Sequence, residues 1–290
     1  MPTGSTTVEL DADVLQRGWA ARVAQPTFAT RVDWAARTDI GRVREHNEDK
    51  FDFFFPQDRT ALALRGRLWA VADGMGGHSA GQIASETALK SVIRSYYSPT
   101  GPVDHREALA EAITEANALI YQASRQFDEK SGMGTTLVVA VLRDDVMTLA
   151  HVGDSRAYLL RSGQALRPLT TDHSWVEEMV RRGALSRADA EASSNRHYIL
   201  RSVGVAATVE PEIASFEVET GDMILLCSDG LCGYVGDPAI ARILGARGPS
   251  PAALDLVDAA NEAGGRDNVT ALILQIGAIR RDDPSADRDA

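Results

Sequence analysis

Four short stretches of this chain set an aspartate beside a small or polar residue at the border of an apolar run. Leu68-Trp69-Ala70-Val71-Ala72 leads into Asp73-Gly74, and Leu149-Ala150-His151-Val152-Gly153 into Asp154-Ser155. Met223-Ile224-Leu225-Leu226-Cys227-Ser228 leads into Asp229-Gly230, while Arg266-Asp267-Asn268 comes ahead of the apolar run from Val269 to Ile276. Buried strands that stop on carboxylates can bring those carboxylates to one sheet edge. Packed close, they repel each other and are costly to desolvate unless a cation sits among them. Oxygen-rich clusters of this kind suit hard divalent ions such as magnesium or manganese.

Two further stretches carry chemistry. Arg44-Glu45-His46-Asn47-Glu48-Asp49 precedes an aromatic run and reads as a loop. There Glu48 and Asp49 could offer oxygen to a metal, and Arg44 could grip a phosphate in a two-pronged fork. On a helix, Arg44 and Glu48 would instead be a solvated pair four residues apart. Asp73-Gly74-Met75-Gly76-Gly77-His78 has three glycines in four positions, which lets backbone approach an ion closely or makes a tight strand-to-helix turn. Its spacing is not that of a dinucleotide-binding loop. Taken alone, Gly153-Asp154-Ser155-Arg156 reads as a hairpin feature.

The elements that must position these residues follow from periodicity. Thr27 to Arg37, Phe51 to Phe55 and Arg67 to Ala72 read as strands. Ser79-x-x-Gln82 resembles a capping box, ahead of a helix with Ile83, Ala84, Ala88 and Val92 on one stripe. Leu109, Ala112, Ile113, Ala116, Ile120, Ala123 and Phe127 recur at three-and-four spacing, which predicts a long amphipathic helix. Leu137 to Leu142, a turn at Asp144-Asp145, Val146 to Val152 and Ala157 to Leu160 predict an antiparallel meander. The polar stretch from Thr170 to Ser202 holds a short helix near Trp175 to Arg182. Strands then follow at Thr208 to Val218 and Met223 to Cys227, helices near Asp237 to Leu244 and Pro251 to Glu262, and a last strand. Strands in blocks and helices in pairs predict an α+β fold with sheets stacked between helical layers.

Composition narrows the class. The chain has 290 residues, 44% of them apolar, which allows a sizeable core. Its net charge is -11 and no lysine/arginine block occurs, so nucleic acid and anionic membranes are poor partners. Two cysteines, Cys227 and Cys232, argue against a disulfide framework and fit a reducing compartment. No run reaches the about 18 apolar residues of a membrane helix, and no secretion signal is legible. A cytoplasmic monomer is the expectation. Residues 1–26 form a polar leader with one weak helix around Asp11 to Ala24, 27–279 one domain, and 280–290 a disordered charged tail.

The ordered set Arg44…Asn47-Glu48-Asp49, Asp73-Gly74-Met75-Gly76-Gly77-His78, Gly134-Thr135-Thr136, Gly153-Asp154-Ser155-Arg156-Ala157, Ser228-Asp229-Gly230-Leu231 and Arg266-Asp267-Asn268-Val269-Thr270 resembles the metal-dependent type 2C serine/threonine protein phosphatases in their bacterial form. The resemblance covers roughly residues 30 to 277. It implies a four-layer αββα sandwich, two central antiparallel sheets flanked by helix pairs, with two magnesium or manganese ions at one end. Asp73 would bridge both metals and the Gly74 carbonyl would bind one of them. Asp229 and Asp267 would complete one shell, and Glu48 and Asp49 would act at the other, partly through waters. Asp154 with Asp229 would offer a third, weaker position, and Arg44 would hold the substrate phosphate.

The implied reaction is hydrolysis of phosphoserine and phosphothreonine in proteins, a serine/threonine kinase among the partners. A water shared by two cations would attack phosphorus in line while Arg44 neutralises charge on the non-bridging oxygens, with no phospho-enzyme. Three departures stand out. Met75 occupies the place of a histidine found in animal relatives, leaving a metal-bound water or a protonated cleft group as proton donor; His78 could be that group, or could equally pack at the helix start. Gly233 stands where a second acidic residue is frequent, which loosens the third position. Ser193-Ser194-Asn195-Arg196-His197-Tyr198 departs from the usual sequence of the flap, 170–203. His151 and Cys227, inside apolar runs, read as core residues.

Rival chemistries fail on residues. A cysteine phosphatase needs an arginine six positions after its nucleophile, where Cys227 has Gly233 and Cys232 has Pro238. An Asp-x-Asp nucleophile occurs at Asp11-Ala12-Asp13, in the leader, and the histidine-rich partners of calcineurin-like enzymes are missing. A non-catalytic relative usually loses metal aspartates, and here Asp73, Asp229 and Asp267 are all present.

Overall fold

A computed structural model of the chain describes residues 28–77, 79–98, 104–126 and 132–281. The leader, His78, Phe127 and residues 282–290 lie outside the described residues. Two five-stranded antiparallel sheets form the centre. The first runs β1 (Phe28–Asp39), β12 (Val269–Arg281), β11 (Met223–Cys227), β8 (Arg156–Leu160) and β9 (Arg167–Pro168). The second runs β10 (Glu212–Glu217), β7 (Val146–Val152), β6 (Leu137–Arg143), β3 (Arg67–Ala72) and β2 (Lys50–Phe54). β4 (Gly74–Met75) and β5 (Gly134–Thr135) make a small separate pair.

Antiparallel strands usually alternate apolar and polar residues because one face is wet. These do not, because both faces of each sheet are covered. From β6, Leu137, Val139 and Val141 pack under α2 (Ser79–Tyr96) and α3 (His105–Gln126), whereas Val138, Ala140 and Leu142 fill the space between sheets. From β11, Leu225 and Cys227 pack under α7 (Asp237–Ala246) and α8 (Pro249–Glu262), and Ile224 and Leu226 face the other sheet. The result is the expected four-layer αββα sandwich. Each buried aliphatic side chain adds roughly 1.5–3 kcal/mol of favourable transfer, summed over three apolar layers.

Several elements differ from expectation. β8 does not prolong the β6–β7 meander but crosses to the other sheet, where it pairs with β11. Its Ala157 and Leu159 fill the inter-sheet layer while Tyr158 packs under the second helix pair. Gly153-Asp154-Ser155 is therefore the crossing between sheets and not a hairpin tip. α1 (Arg59–Arg65), capped by Asp58, and the one-turn α6 (Asp229–Cys232) are too short for periodicity to show. α4 (Trp175–Arg181) is followed by α5 (Arg187–Ala192), capped by Ser186. β12 continues to Arg281, with Arg280 opposite Ala29, so the first two residues of the expected tail are strand. Ser79 is the first helical residue of α2 and not its cap. The two cysteines are unbridged, and no helix among the described residues is long and apolar enough to cross a membrane.

Candidate metal centre

Antiparallel pairing decides where the carboxylates fall. β3 ends at Ala72 opposite Lys50, so Asp73 and Asp49 lie at the same edge. β7 ends at Val152 opposite Leu137, β11 ends at Cys227 opposite both Arg156 and Ala271, and β1 ends at Asp39 opposite Val269. Asp154, Asp229 and Asp267 flank these ends, and the loop 40–49 closes the same side. A cleft of about 440 Å³ opens there, lined among others by Arg44, Glu48, Asp73, Gly74, Asp229 and Asp267. Asp49 and Asp154 do not line it and are almost wholly shielded from solvent. All eight residues singled out from the sequence thus meet at one end of the sandwich.

The cluster is electrostatically strained. Burial, then the charges of Asp49, Asp229, Asp154 and Asp267, push the Asp73 carboxyl far above its ordinary range. Burial raises Asp49 from 3.8 to about 7, against the opposing hydrogen bonds of Ser228 and Thr270. Asp154 is pushed up by burial and by Asp229 and Asp172. Like charges this close need either protons or cations.

The donor set distinguishes the two. Asp49 Oδ2 accepts the Ser228 hydroxyl at 2.6 Å and the Thr270 hydroxyl at 2.8 Å. Its Oδ1, like Asp154 Oδ1, is buried with no hydrogen-bond partner. A buried acceptor left unpaired costs about 1–3 kcal/mol or more when charged, and a cation removes that cost. The residues fit hard divalent ions: carboxylate oxygens, one oxygen of Asp49 held by hydroxyls and the other open.

Backbone supports fix the rest. The Asp73 N–H donates to Thr136 Oγ1 at 3.1 Å, and the Asp73 carbonyl accepts from the Thr135 hydroxyl and the Thr136 N–H, each at 2.8 Å. Asn268 accepts the Glu48 N–H at 2.8 Å and donates to the Ile40 and His46 carbonyls at 3.0 and 2.9 Å, which staples the loop 40–49 to the head of β12. A Cβ on Gly81 would overlap the Glu48 carboxylate, and one on Gly74 would overlap the Gly81 carbonyl, so both positions need glycine for contact. Arg44 lies in the loop, as expected, with its guanidinium 2.8 Å from Asp267 Oδ2.

Ser228, Thr270, Thr136, Ser155 and Asn268 support the cluster without having been singled out for that role. Nothing local in the sequence marks them; their burial at the strand ends comes only with the fold. From the 170–203 segment, His197 and Ile199 enter the cleft, with His197 Nδ1 3.9 Å from Asp229 Oδ2. His151 is buried and Cys227 is fully buried, as expected of core residues, although His151 also hydrogen-bonds the Thr171 carbonyl. Removing one of the two hydroxyls on Asp49 has a definite expected result. Ser228→Ala weakens manganese binding by roughly tenfold in calorimetric titration, with the fold retained by circular dichroism.

Comparison with known proteins bears on this geometry. The family model described as protein phosphatase 2C matches residues 42–249. A serine/threonine phosphatase Stp from Listeria monocytogenes is 38% identical over 258 residues, 88% of this chain and 98% of that protein. The serine/threonine protein phosphatase PstP of Mycobacterium tuberculosis is 34% identical over 88% of this chain and 46% of its own length. Among solved structures, a serine/threonine phosphatase of S. agalactiae superposes with a TM-score of 0.77 at 33% identity, covering 84% of this chain and 99% of that one. The catalytic domain of PstP in complex with two manganese ions superposes with a TM-score of 0.73 at 33% identity, covering 86% and 100%. With a matching family model over most of its length, and these relatives across the same sandwich, the chain belongs to the protein phosphatase 2C family of serine/threonine phosphatases.

Proposed function

We propose that residues 27–279 form a phosphatase domain that hydrolyses phosphoserine and phosphothreonine in proteins at a two-cation centre, without a phospho-enzyme. The observation that carries this is the pair of orphaned, buried carboxylate oxygens on Asp49 and Asp154 within a five-aspartate cluster. Asp73, the Gly74 carbonyl, Asp229 and Asp267, with Glu48 and Asp49, would hold two manganese or magnesium ions, and Asp154 with Asp229 a third, weaker one. Bound there, such ions supply a nucleophilic water near neutral pH and offset charge on the transferring phosphoryl group.

The chain's own residues do the rest. Arg44, half-exposed at the cleft, grips two non-bridging phosphate oxygens and orients phosphorus for in-line attack. Thr135 and Thr136 hold the Asp73 backbone so that its carboxylate does not swing. The serine or threonine alkoxide must gain a proton, and His197 is placed to give it. To act as the acid the ring must be the imidazolium, giving up its Nε2 proton and returning to the neutral form in which Nε2 accepts from Arg196 Nε at 2.9 Å and Nδ1–H faces Asp229. His78, the other candidate donor, lies outside the described residues. The 170–203 segment is read as the flap, and the enzyme as a cytoplasmic monomer acting on phosphoproteins, a serine/threonine kinase among them.

Phosphate release from a phosphothreonine peptide tests the reading. It should require manganese and stop with EDTA; release that survives EDTA contradicts it. His197→Ala should lower kcat on the peptide by about 10²-fold, the usual worth of a general acid. On para-nitrophenyl phosphate, whose leaving group needs no proton, the change should be under about threefold. Equal losses on both substrates would assign His197 a different role.

A further inference from the structure

Away from the carboxylate cluster, His151 on β7, His173 at the root of the flap and Glu212 on β10 bring three side-chain donors within 4.8 Å of one another. The two rings stack at 4.6 Å with 18° between their planes. The grouping looks like a metal triad, but its hydrogen bonds argue otherwise. His173 Nδ1 accepts the Gly153 N–H at 3.1 Å, so in the neutral ring the proton lies on Nε2, the atom facing Glu212 at 3.4 Å. His151 Nε2 faces the Thr171 carbonyl at 2.9 Å and carries its proton there. Neither Nε2 has a lone pair to give a metal, and the Arg201 guanidinium stands 3.4 Å from His173 Nε2. The cluster is a clasp.

What it clasps is the loop of Asp154. Gly153 is held from two sides by one residue: its N–H reaches His173 Nδ1, and its carbonyl accepts the His173 N–H at 2.9 Å. Gly153 has φ +109°, and a Cβ there would stand 2.7 Å from Thr136, so this peptide has little room to move. The neighbouring Arg156–Asp172 pair, at 2.8 and 2.6 Å, ties the same loop to the same root. On its other side His173 offers its carbonyl to the Leu200 N–H at 2.7 Å, where the flap returns. Ser174 bridges Ile199, and Ile199 and His197 enter the cleft. Burial and the nearby His151 and Arg201 charges hold His173 down at about 4, which keeps Nδ1 an acceptor at neutral pH.

We propose that His173 is a positioning residue: its side chain fixes the Gly153 peptide, and with it Asp154, while its backbone fixes the returning flap strand that carries His197 and Ile199. Ion binding at Asp154 and the placement of the cleft wall are thereby coupled through one residue. The coupling rests on the two-cation reading above; the clasp itself does not.

Two polar variants of similar size separate this from general packing. His173→Asn sets Oδ1 where Nδ1 was and keeps the acceptor, whereas His173→Gln moves its carbonyl out to the Nε2 position and loses it. In metal-free protein, amide exchange of the segment 150–156 should match wild type in His173→Asn and accelerate about tenfold in His173→Gln. With manganese, His173→Gln should weaken the weakest ion-binding step and raise KM for a phosphothreonine peptide, each by about tenfold. His173→Asn should stay within twofold of wild type in every readout. Equal behaviour of the two variants, in either direction, overturns the proposal, as does altered exchange in His173→Gln without altered manganese binding and KM. Wild-type protein that bound no manganese would sink the two-cation reading instead, leaving the exchange result to stand for the clasp.

Discussion

Asp73→Asn should abolish phosphatase activity while making the metal-free protein more stable. Asp73 lies where the charges of four other aspartates converge, and burial adds to their repulsion. Without ions its negative charge is a liability to the fold, so a neutral isostere relieves it. In the proposed two-cation centre that charge would instead be shared between the ions. The expected result is a fall of about 10⁴-fold in kcat/KM on a phosphothreonine peptide, roughly 5.5 kcal/mol of transition-state stabilisation. Manganese binding should fall with it, and the melting temperature in EDTA at pH 8 should rise. A metal-free melting temperature lower than wild type would show that Asp73 is a structural anchor and not a strained ligand.

The second large effect is a dependence of stability on pH that manganese removes. Asp49 titrates near 3.8 when unfolded and at about 7 in the folded, metal-free protein. Between those values the folded state holds a proton that the unfolded state has released. Stability from this group is therefore complete below about pH 4, declines as pH rises toward 7, and stays low above it. The shift corresponds to a loss on the order of 4 kcal/mol. Asp73 and Asp154 are raised in the same direction and add to the decline. Urea unfolding of EDTA-treated protein should give lower stability at pH 8 than at pH 5.5, and saturating manganese should reverse the order. A metal-free protein that gains stability over that interval contradicts the arrangement of carboxylates described here.

The strand ends were legible because a covered sheet writes continuous apolar runs, and a carboxylate at the end of such a run is conspicuous. Asp73, Asp154, Asp229 and Asp267 stand out for that reason, and Arg44 and Glu48 through the motif around them. Their shared place at strand ends suggested convergence, and the family resemblance gave it specific partners. No periodicity tells that β8 leaves the β6–β7 sheet, because Ala157 and Leu159 would be equally apolar in either sheet. One-turn α6 was illegible for want of length, and α1 because its single buried residue is Arg65. The hydroxyls that orient Asp49 come from Ser228 and Thr270, 179 and 221 residues away in sequence, and nothing local predicts such a bond. His173 was missed because a histidine in a polar stretch gives no sign that its ring is buried against another strand.

Anomalous diffraction at the manganese edge from crystals grown with manganese puts the central claim to the most direct test. Two strong peaks should appear in the cleft, one on each side of the Asp73 carboxylate, with Asp229 and Asp267 around one and the Glu48–Asp49 side around the other. A weaker third peak belongs beside Asp154. Manganese absent from the cleft of well-ordered, phosphatase-active crystals, or found with Asp73 pointing away from it, would contradict the account.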